Sequence, residues 1–258
     1  MAVKITIANQ KGGLGKTVTA ISLATGLKNR GFKTLLIDAD PQCNSTDTYR
    51  AKVENQATLY DLLHREANVK EVVQNTDLGD IIAGDKLLRT ADTDFMKIKT
   101  GRDYILKEQL AEIENDYDFI IMDNNPALGL LLIMTMTVAD FIIIPLTADR
   151  YSLQGINELR ETIEGTRKYT NPNLKVMGIL ITIFEGNTSI AKQLLDAIPV
   201  IEKPLQAKIF ETKIRKNVTI KDSTQARTSI FDFDDKSNGA EDYNKLIDEI
   251  LNLLEMGK

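Results

Sequence analysis

The apolar run Val3-Lys4-Ile5-Thr6-Ile7 leads into Asn9-Gln10-Lys11-Gly12-Gly13-Leu14-Gly15-Lys16-Thr17, and apolar residues then recur at a helical period (Thr19, Ile21, Leu23, Ala24, Leu27) up to Gly31. A strand that turns through glycines straight into a helix points backbone N–H groups and the positive end of the helix dipole at one place, which is an anion site. The ordinary phosphate-loop pattern, G-x-x-x-x-G-K-[ST], needs a glycine where Gln10 stands. Gly12, Gly13 and Gly15 still let the backbone close around a phosphate, with Leu14 and Val18 as the apolar members of the loop and first turn. Lys16 is placed to reach β- and γ-phosphate oxygens, and the Thr17 hydroxyl suits Mg²⁺. Lys11, at the entrance, is not needed for phosphate within one subunit. Its residue type alone leaves it either a solvated lysine or a group that meets phosphates held by a partner.

The other strand candidates are also unbroken apolar runs, at residues 34–37, 119–122, 141–144 and 176–183. Such runs fit strands buried on both faces of a parallel sheet. Helix-period stretches lie between them, at 16–29, 103–114, 153–169, 189–197 and 240–256. The alternation predicts an α/β fold with a single open, mostly parallel twisted sheet covered by helices on both faces, over one domain, residues 1–258. Residues 48–102 have weaker periodicity and are expected to form short helices and loops. The most apolar stretch, 126–148, is read as two elements: 127–139 is short of the ~20 residues a membrane span needs, and Asp140 separates it from a buried strand.

Carboxylates close two of the runs. Asp38 and Asp40 follow the second strand, where ligands of open α/β sheets bind. One could orient a water while the other holds a metal through its water shell, or both could simply finish the strand. Asp123 closes Phe119-Ile120-Ile121-Met122 and is a candidate for holding Mg²⁺ through water. Together with the loop, these acids support phosphoryl transfer to water.

Composition narrows the rest. The chain has one cysteine, Cys43, and one histidine, His64, which excludes an intrachain disulfide, a Cys/His zinc cluster and a cysteine-held iron–sulfur cluster within one chain. Cys43 reads as a small packed residue. No export signal is expected at the N-terminus, and the lone thiol fits a cytoplasmic address. The net charge of −5 makes the whole molecule no basic nucleic-acid binder. Residues 203–227 nevertheless carry a net +5, and the balance reverses to −5 from residue 228 onward. A charge run of this kind is either solvated surface or a site for polyanion phosphates. The C-terminal helix places Glu241, Asp242, Asp248, Glu249 and Glu255 opposite its apolar residues, an acidic face that anionic lipid repels.

Lys11-Gly12-Gly13-Leu14-Gly15-Lys16-Thr17 resembles the deviant Walker A motif of the ParA/MinD ATPases, and Asp38-Ala39-Asp40-Pro41-Gln42-Cys43-Asn44-Ser45-Thr46 resembles the D-x-D-P-Q-x-N-x-T signature of the ParA branch. The resemblance implies ATP and Mg²⁺ as cofactors and a homodimer closed by ATP, in which Lys11 touches the other subunit's nucleotide. It also implies that Asp40 positions the attacking water and that Asp38 sits near the Mg²⁺ shell beside Thr17 and Asp123. Val18 replaces a usual threonine, and Asn124-Asn125-Pro126 keeps only the second proline of the family's pair. Ile209-Phe210-Glu211-Thr212-Lys213-Ile214-Arg215, with Asn217, resembles the segment that passes the adenine and leads to DNA, so Lys208, Lys216, Lys221 and Arg227 are the expected contacts to non-specific DNA. No N-terminal helix-turn-helix extension is expected, as in the short, Soj-like branch. A ParB-class centromere-binding adaptor, cytoplasmic location on the nucleoid and no membrane follow by the same resemblance. A MinD-like positioning ATPase at a membrane, a metabolic P-loop ligase or kinase, and a filament-forming scaffold are the rival expectations.

Overall fold

The computed structural model describes residues 1–147, 152–186, 202–203 and 205–256. Its strands are β1 (Val3–Ile7), β2 (Thr34–Ala39), β3 (Val73–Thr76), β4 (Gly79–Ile82), β5 (Phe119–Asn124), β6 (Phe141–Thr147) and β7 (Lys175–Thr182). Its helices are α1 (Lys16–Asn29), α2 (Asn44–Thr48), α3 (Leu59–Leu63), α4 (Val69–Val72), α5 (Ala91–Asp94), α6 (Ile105–Leu110), α7 (Leu130–Val138), α8 (Ser152–Tyr169), α9 (Val218–Gln225), α10 (Ile230–Phe233) and α11 (Asn238–Leu253). The strands form one seven-stranded sheet in the order β3-β4-β2-β5-β1-β6-β7, parallel except for the β3–β4 pair.

Continuous apolar runs follow from burial on both faces. Along β2, Leu35 and Ile37 enter the core beneath α3, α6 and α7, while Leu36 enters the core beneath α1 and α11. In β5, Ile120 and Met122 alternate with Phe119 and Ile121 in the same way. Successive side chains point to opposite faces, so a strand covered twice has no polar alternation to show.

Helix α1 starts at Gly15, whose φ of 77° is left-handed, and stops at Arg30 before Gly31 (φ 88°). Every residue from Thr19 to Leu27 is buried, because the sheet covers one side of the helix and α11 and α10 cover the other. Gly26 permits the close approach: a Cβ there would collide with Ile247 Cδ1 and lie 2.9 Å from Phe231 Cε2. Helix α11 begins at a Ser237 cap and buries Tyr243, Leu246, Ile247 and Ile250. Each such side chain contributes about 1.5–3 kcal/mol relative to exposure.

Three expectations change in detail. The helix expected over 103–114 is α6 alone, preceded by a 3₁₀ turn at Arg102–Tyr104 and followed by turns in which Ile113 N bonds Leu110 O at 3.1 Å. Residues 48–102 hold β3 and β4 as well as short helices. Strand β4 is Gly79-Asp80-Ile81-Ile82, too short to carry a period, and it is fixed by pairing with distant β2. The stretch 127–139 becomes α7, whose first N–H groups are met from another element: Leu130 N donates to Asp92 Oδ1 at 2.7 Å. The helix expected over 189–197 lies outside the described residues.

Candidate functional site

Parallel register brings the acids together. Asp38 of β2 stands opposite Asp123 of β5, and Asp123 stands opposite Ile7 of β1, the last strand residue before the glycine loop. The loop therefore leaves the sheet directly beside two buried carboxylates. Gly13 and Gly15 both have φ of 77°, and no side chain caps the first turn of α1, so its N–H groups face the loop. The loop is anchored from behind: Thr182 of β7 donates its hydroxyl to Leu14 O at 2.9 Å, Asn9 Nδ2 donates to Pro145 O at 2.6 Å, and Asn9 Oδ1 accepts from Lys11 N at 3.1 Å.

Lys16 is buried inside this cradle and its Nζ donates to Lys11 O at 2.9 Å. Burial lowers its pKa, and Asp123 and Asp40 oppose that by Coulomb attraction. Lys11 itself is half-buried at the loop entrance.

The three acids differ in how they are held. Asp38 is fully buried: its Oδ2 accepts from Thr46 N and Thr46 Oγ1 at 2.8 and 2.7 Å, and its Oδ1 accepts from Asp40 N at 3.1 Å. Burial pushes its carboxyl up to about 6 against those hydrogen bonds, which pull it down. Asp123 is pushed further, to about 8, by burial and by the neighbouring Asp38 charge. Its Oδ2 accepts from Ser45 Oγ at 2.8 Å and the Thr17 side chain also bonds it, but Oδ1 is buried with no partner among the described residues. Asp40 is buried but less enclosed, with Oδ1 accepting from Gln42 N at 2.9 Å. A cleft of about 350 Å³ opens beside it, lined by Gln42, Arg89, Asp92, Asn125 and Pro126 among others.

Two raised carboxyl pKa values around an orphaned oxygen mark a place where burial disfavours negative charge, and a bound cation would offset that cost. Among the described residues no cluster of three His, Cys, Asp or Glu side chains forms a protein-only metal cage. A cation here would share the Thr17 hydroxyl and the acids with ligand and water oxygens, as Mg²⁺ does. The donor set fits that ion.

Several functional neighbours escaped the sequence reading. Ser45 and Thr46 position Asp123 and Asp38, and Thr182 holds the loop. The signal for Thr46 was its place in the signature after Asp40. Thr182 offered none. Asn124, just before Asn125 in place of the first proline, is an internal tie: its Nδ2 donates to Thr6 Oγ1 at 2.7 Å and Ile7 O at 3.1 Å, and its Oδ1 accepts from Thr135 Oγ1 at 2.8 Å. Burial and the nearby acids push the Cys43 thiol up to about 12, so it stays protonated and inert.

The four expected DNA contacts are not gathered with this site. Residues 207–216 run beside β7, where Phe210 N bonds Ile179 O and Lys216 N bonds Phe184 O. Lys208 is exposed on that segment, Lys216 pairs with Glu185 at 2.9 Å, Lys221 is exposed on α9, and Arg227 pairs with Asp47 at 3.0 Å. Arg215, partly exposed, is bonded to Asp242 and Glu241. No helix among the described residues is long and apolar enough to cross a membrane, and the apolar face of α11 is spent on the core.

A glycine cradle, an enclosed lysine and strand-end acids on a sheet of this order place the protein in the P-loop class of nucleotide-binding ATPases. A family model described as an AAA domain matches residues 2–176. The chromosome partitioning protein ParA of Myxococcus xanthus is 34% identical over 250 residues, covering 96% of this chain and 87% of that protein. The sporulation initiation inhibitor protein Soj of Bacillus subtilis is 32% identical, covering 95% and 97%. Among solved structures, cobyrinic acid a,c-diamide synthase from Mycobacterium smegmatis, with bound ADP and magnesium, superposes with a TM-score of 0.85 at 26% identity over 100% of this chain and 97% of that one. The chain belongs to the ParA/Soj family of partition ATPases.

Proposed function

We propose that this protein is a Mg-ATP-dependent partition ATPase that binds DNA non-specifically as an ATP-closed homodimer and segregates a replicon. The observation that carries the reading is the enclosed Lys16 between the loop carbonyl of Lys11 and the charges of Asp40 and Asp123, at an uncapped helix terminus. The loop amides and Lys16 hold the β- and γ-phosphates. Lys11, at the mouth, reaches the phosphates of the second subunit. Asp40 has Oδ1 engaged by Gln42 N, which leaves Oδ2 to accept a proton of the attacking water and align its oxygen with the γ-phosphorus. The bond from the γ-phosphorus to the β-phosphate oxygen then breaks, and ADP and phosphate leave. Thr46 and Ser45 keep Asp38 and Asp123 in place throughout. Thr17, and Asp38 and Asp123 through water, would hold Mg²⁺, which would supply charge neutralisation on the phosphate oxygens.

In this reading the exposed Lys208, Lys216, Lys221 and Arg227 meet DNA phosphates, a ParB-class adaptor stimulates hydrolysis, and the protein works in the cytoplasm on the nucleoid. The test is DNA retention by wild type and Lys11→Ala with and without ATP. Retention that needs ATP, falls steeply with salt and is lost in Lys11→Ala supports the proposal; equal retention without nucleotide sinks it. The fold neighbour named as a synthase keeps a small-substrate ligase as the second reading. That reading expects turnover that requires a second small molecule and ignores DNA.

A further inference from the structure

Strands β2 and β5 end in the same way. Asp38 stands opposite Asp123, and Ala39 stands opposite Asn124. The next residues, Asp40 and Asn125, lie just past the two strands, and both line the cleft of about 350 Å³. Residues two apart in an extended chain share a face, so Asn125 follows Asp123 as Asp40 follows Asp38. Asn125 also precedes Pro126, which disfavours helical backbone at Asn125 and keeps it extended. The strand-end acids form one pair, and the acid and the amide beyond them form a second.

The segment that carries Asn125 is fixed at both ends. On one side Asn124 is tied to Thr6, Ile7 and Thr135; on the other, Leu130 N donates to Asp92 Oδ1. Asn125 itself is half-buried, and among the described residues its side chain makes no hydrogen bond. A carboxamide with one donor and one acceptor group, held between two anchors and open to a cleft, is preorganised for something that enters the cleft. Gln42 lines the same cleft, but its side chain is exposed and its backbone N–H is already given to Asp40 Oδ1.

We propose that Asn125 is a second catalytic residue for ATP hydrolysis, orienting the attacking water together with Asp40. The inference rests on the reading that Asp40 aligns that water. A water is aligned for attack when both of its protons are accepted, which leaves a lone pair for phosphorus. Asp40 Oδ2 accepts one proton and Asn125 Oδ1 accepts the other. Asn125 Nδ2 then donates to an oxygen of the γ-phosphate. A side-chain amide orients water in other phosphate-loop hydrolases. The water oxygen bonds to phosphorus as the bond to the β-phosphate oxygen breaks, and that electron pair leaves on ADP. One water proton stays on the phosphate and the other passes to solvent. A proline at this position has no side-chain donor or acceptor, so the device depends on the residue that this chain carries in its place.

The experiment measures steady-state phosphate release from Mg-ATP, with DNA present, for wild type, N125A, N125L, D40N and D40N/N125A. N125A is expected to lower kcat about tenfold, the worth of one hydrogen bond made in the transition state, with KM for ATP unchanged. N125L keeps the volume of the side chain, removes both polar groups and should lose the same factor. Melting followed by circular dichroism reports the fold of each variant, and N125L carries the comparison if N125A does not fold. Because the two side chains hold one water, N125A should cost less than about twofold when Asp40 is already replaced. The same tenfold loss in both backgrounds would mark a structural role and overturn the assignment. Wild-type kcat in N125A and N125L overturns it as well and leaves the ATPase reading standing, as does a raised KM at wild-type kcat, which would make Asn125 a nucleotide-binding residue. Wild type that releases no phosphate, or D40N that releases it at the wild-type rate, overturns the reading of Asp40 and the inference with it.

Discussion

The acid-lined end of the sheet and the basic rim of residues 203–227 use charge in opposite ways. At the sheet end, Asp38 and Asp123 are fully buried, brought together by strand register, and held off their ordinary pKa values. Along the rim most of the cations are exposed, and several are already matched by acids from elsewhere: Lys216 by Glu185, Arg227 by Asp47, and the partly exposed Arg215 by Asp242 and Glu241. Charge that is buried and under strain is available for chemistry, because a ligand of opposite sign relieves it. Charge that is exposed and paired is available only for interactions that salt can screen. The same residue types therefore do different work according to how much water they keep.

Substitutions test that contrast, and the largest effect belongs to the enclosed lysine. Lys16→Ala removes the cation inside the cradle and is expected to lower ATP turnover by about 10²–10³-fold, the cost of one transition-state charge partner, measured as phosphate release. Arg215→Ala comes next. It strands Asp242, whose side chain is 6% exposed, but Arg215 itself is 41% exposed and solvent screens the pair, so the cost should be about 1–3 kcal/mol of stability in chemical denaturation. The salt slope of DNA binding should barely move in this variant, since Arg215 is engaged internally. A large slope change would show that the rim counts all its cations alike.

Asp123→Asn is expected to act in the opposite direction on stability. Its carboxyl and that of Asp38 have folded pKa values, about 8 and about 6, above the ordinary 3.8. Their contribution to stability is complete below the unfolded value and is lost as pH rises through 6 to 8. The nucleotide-free protein should therefore melt lower at pH 8 than at pH 6, and Asp123→Asn should flatten that fall and raise the pH 8 melting point by about 2–4 °C for each kcal/mol gained. The same variant should lose the magnesium dependence of nucleotide binding, read by titration with and without EDTA. The smallest effect belongs to Lys216→Gln, which breaks an exposed pair. Stability should change by no more than about 1 kcal/mol, while the salt slope of DNA binding drops by about 0.9.

The contrast also explains what could be read before the fold was known. Strands β1, β2, β5 and β6, helix α1 and the loop between them follow from local pattern, because each run is long and apolar. The place of Asp38 and Asp123 was readable for the same reason, since a parallel sheet aligns strand ends. Strand β4 was not, since its pairing with β2 is decided by residues more than forty apart in register (Leu35 with Asp80). The net +5 of residues 203–227 overstated the free charge of the rim, because Glu185, Asp47 and Asp242 lie outside that segment and meet its cations only in the fold. Thr182 could not be tied to the loop for the same reason: it comes from the far side of the sheet.

The bare position at Gly26 has a consequence for the working life of the protein. The helix that opens on the glycine loop at one end is, at the other, the seat on which Ile247 and Phe231 rest. A single methyl group added there acts as a wedge under the closing helix while leaving the phosphate cradle untouched. A fold that loosens on heating, with the glycine loop intact at low temperature, is the defect such a wedge would produce.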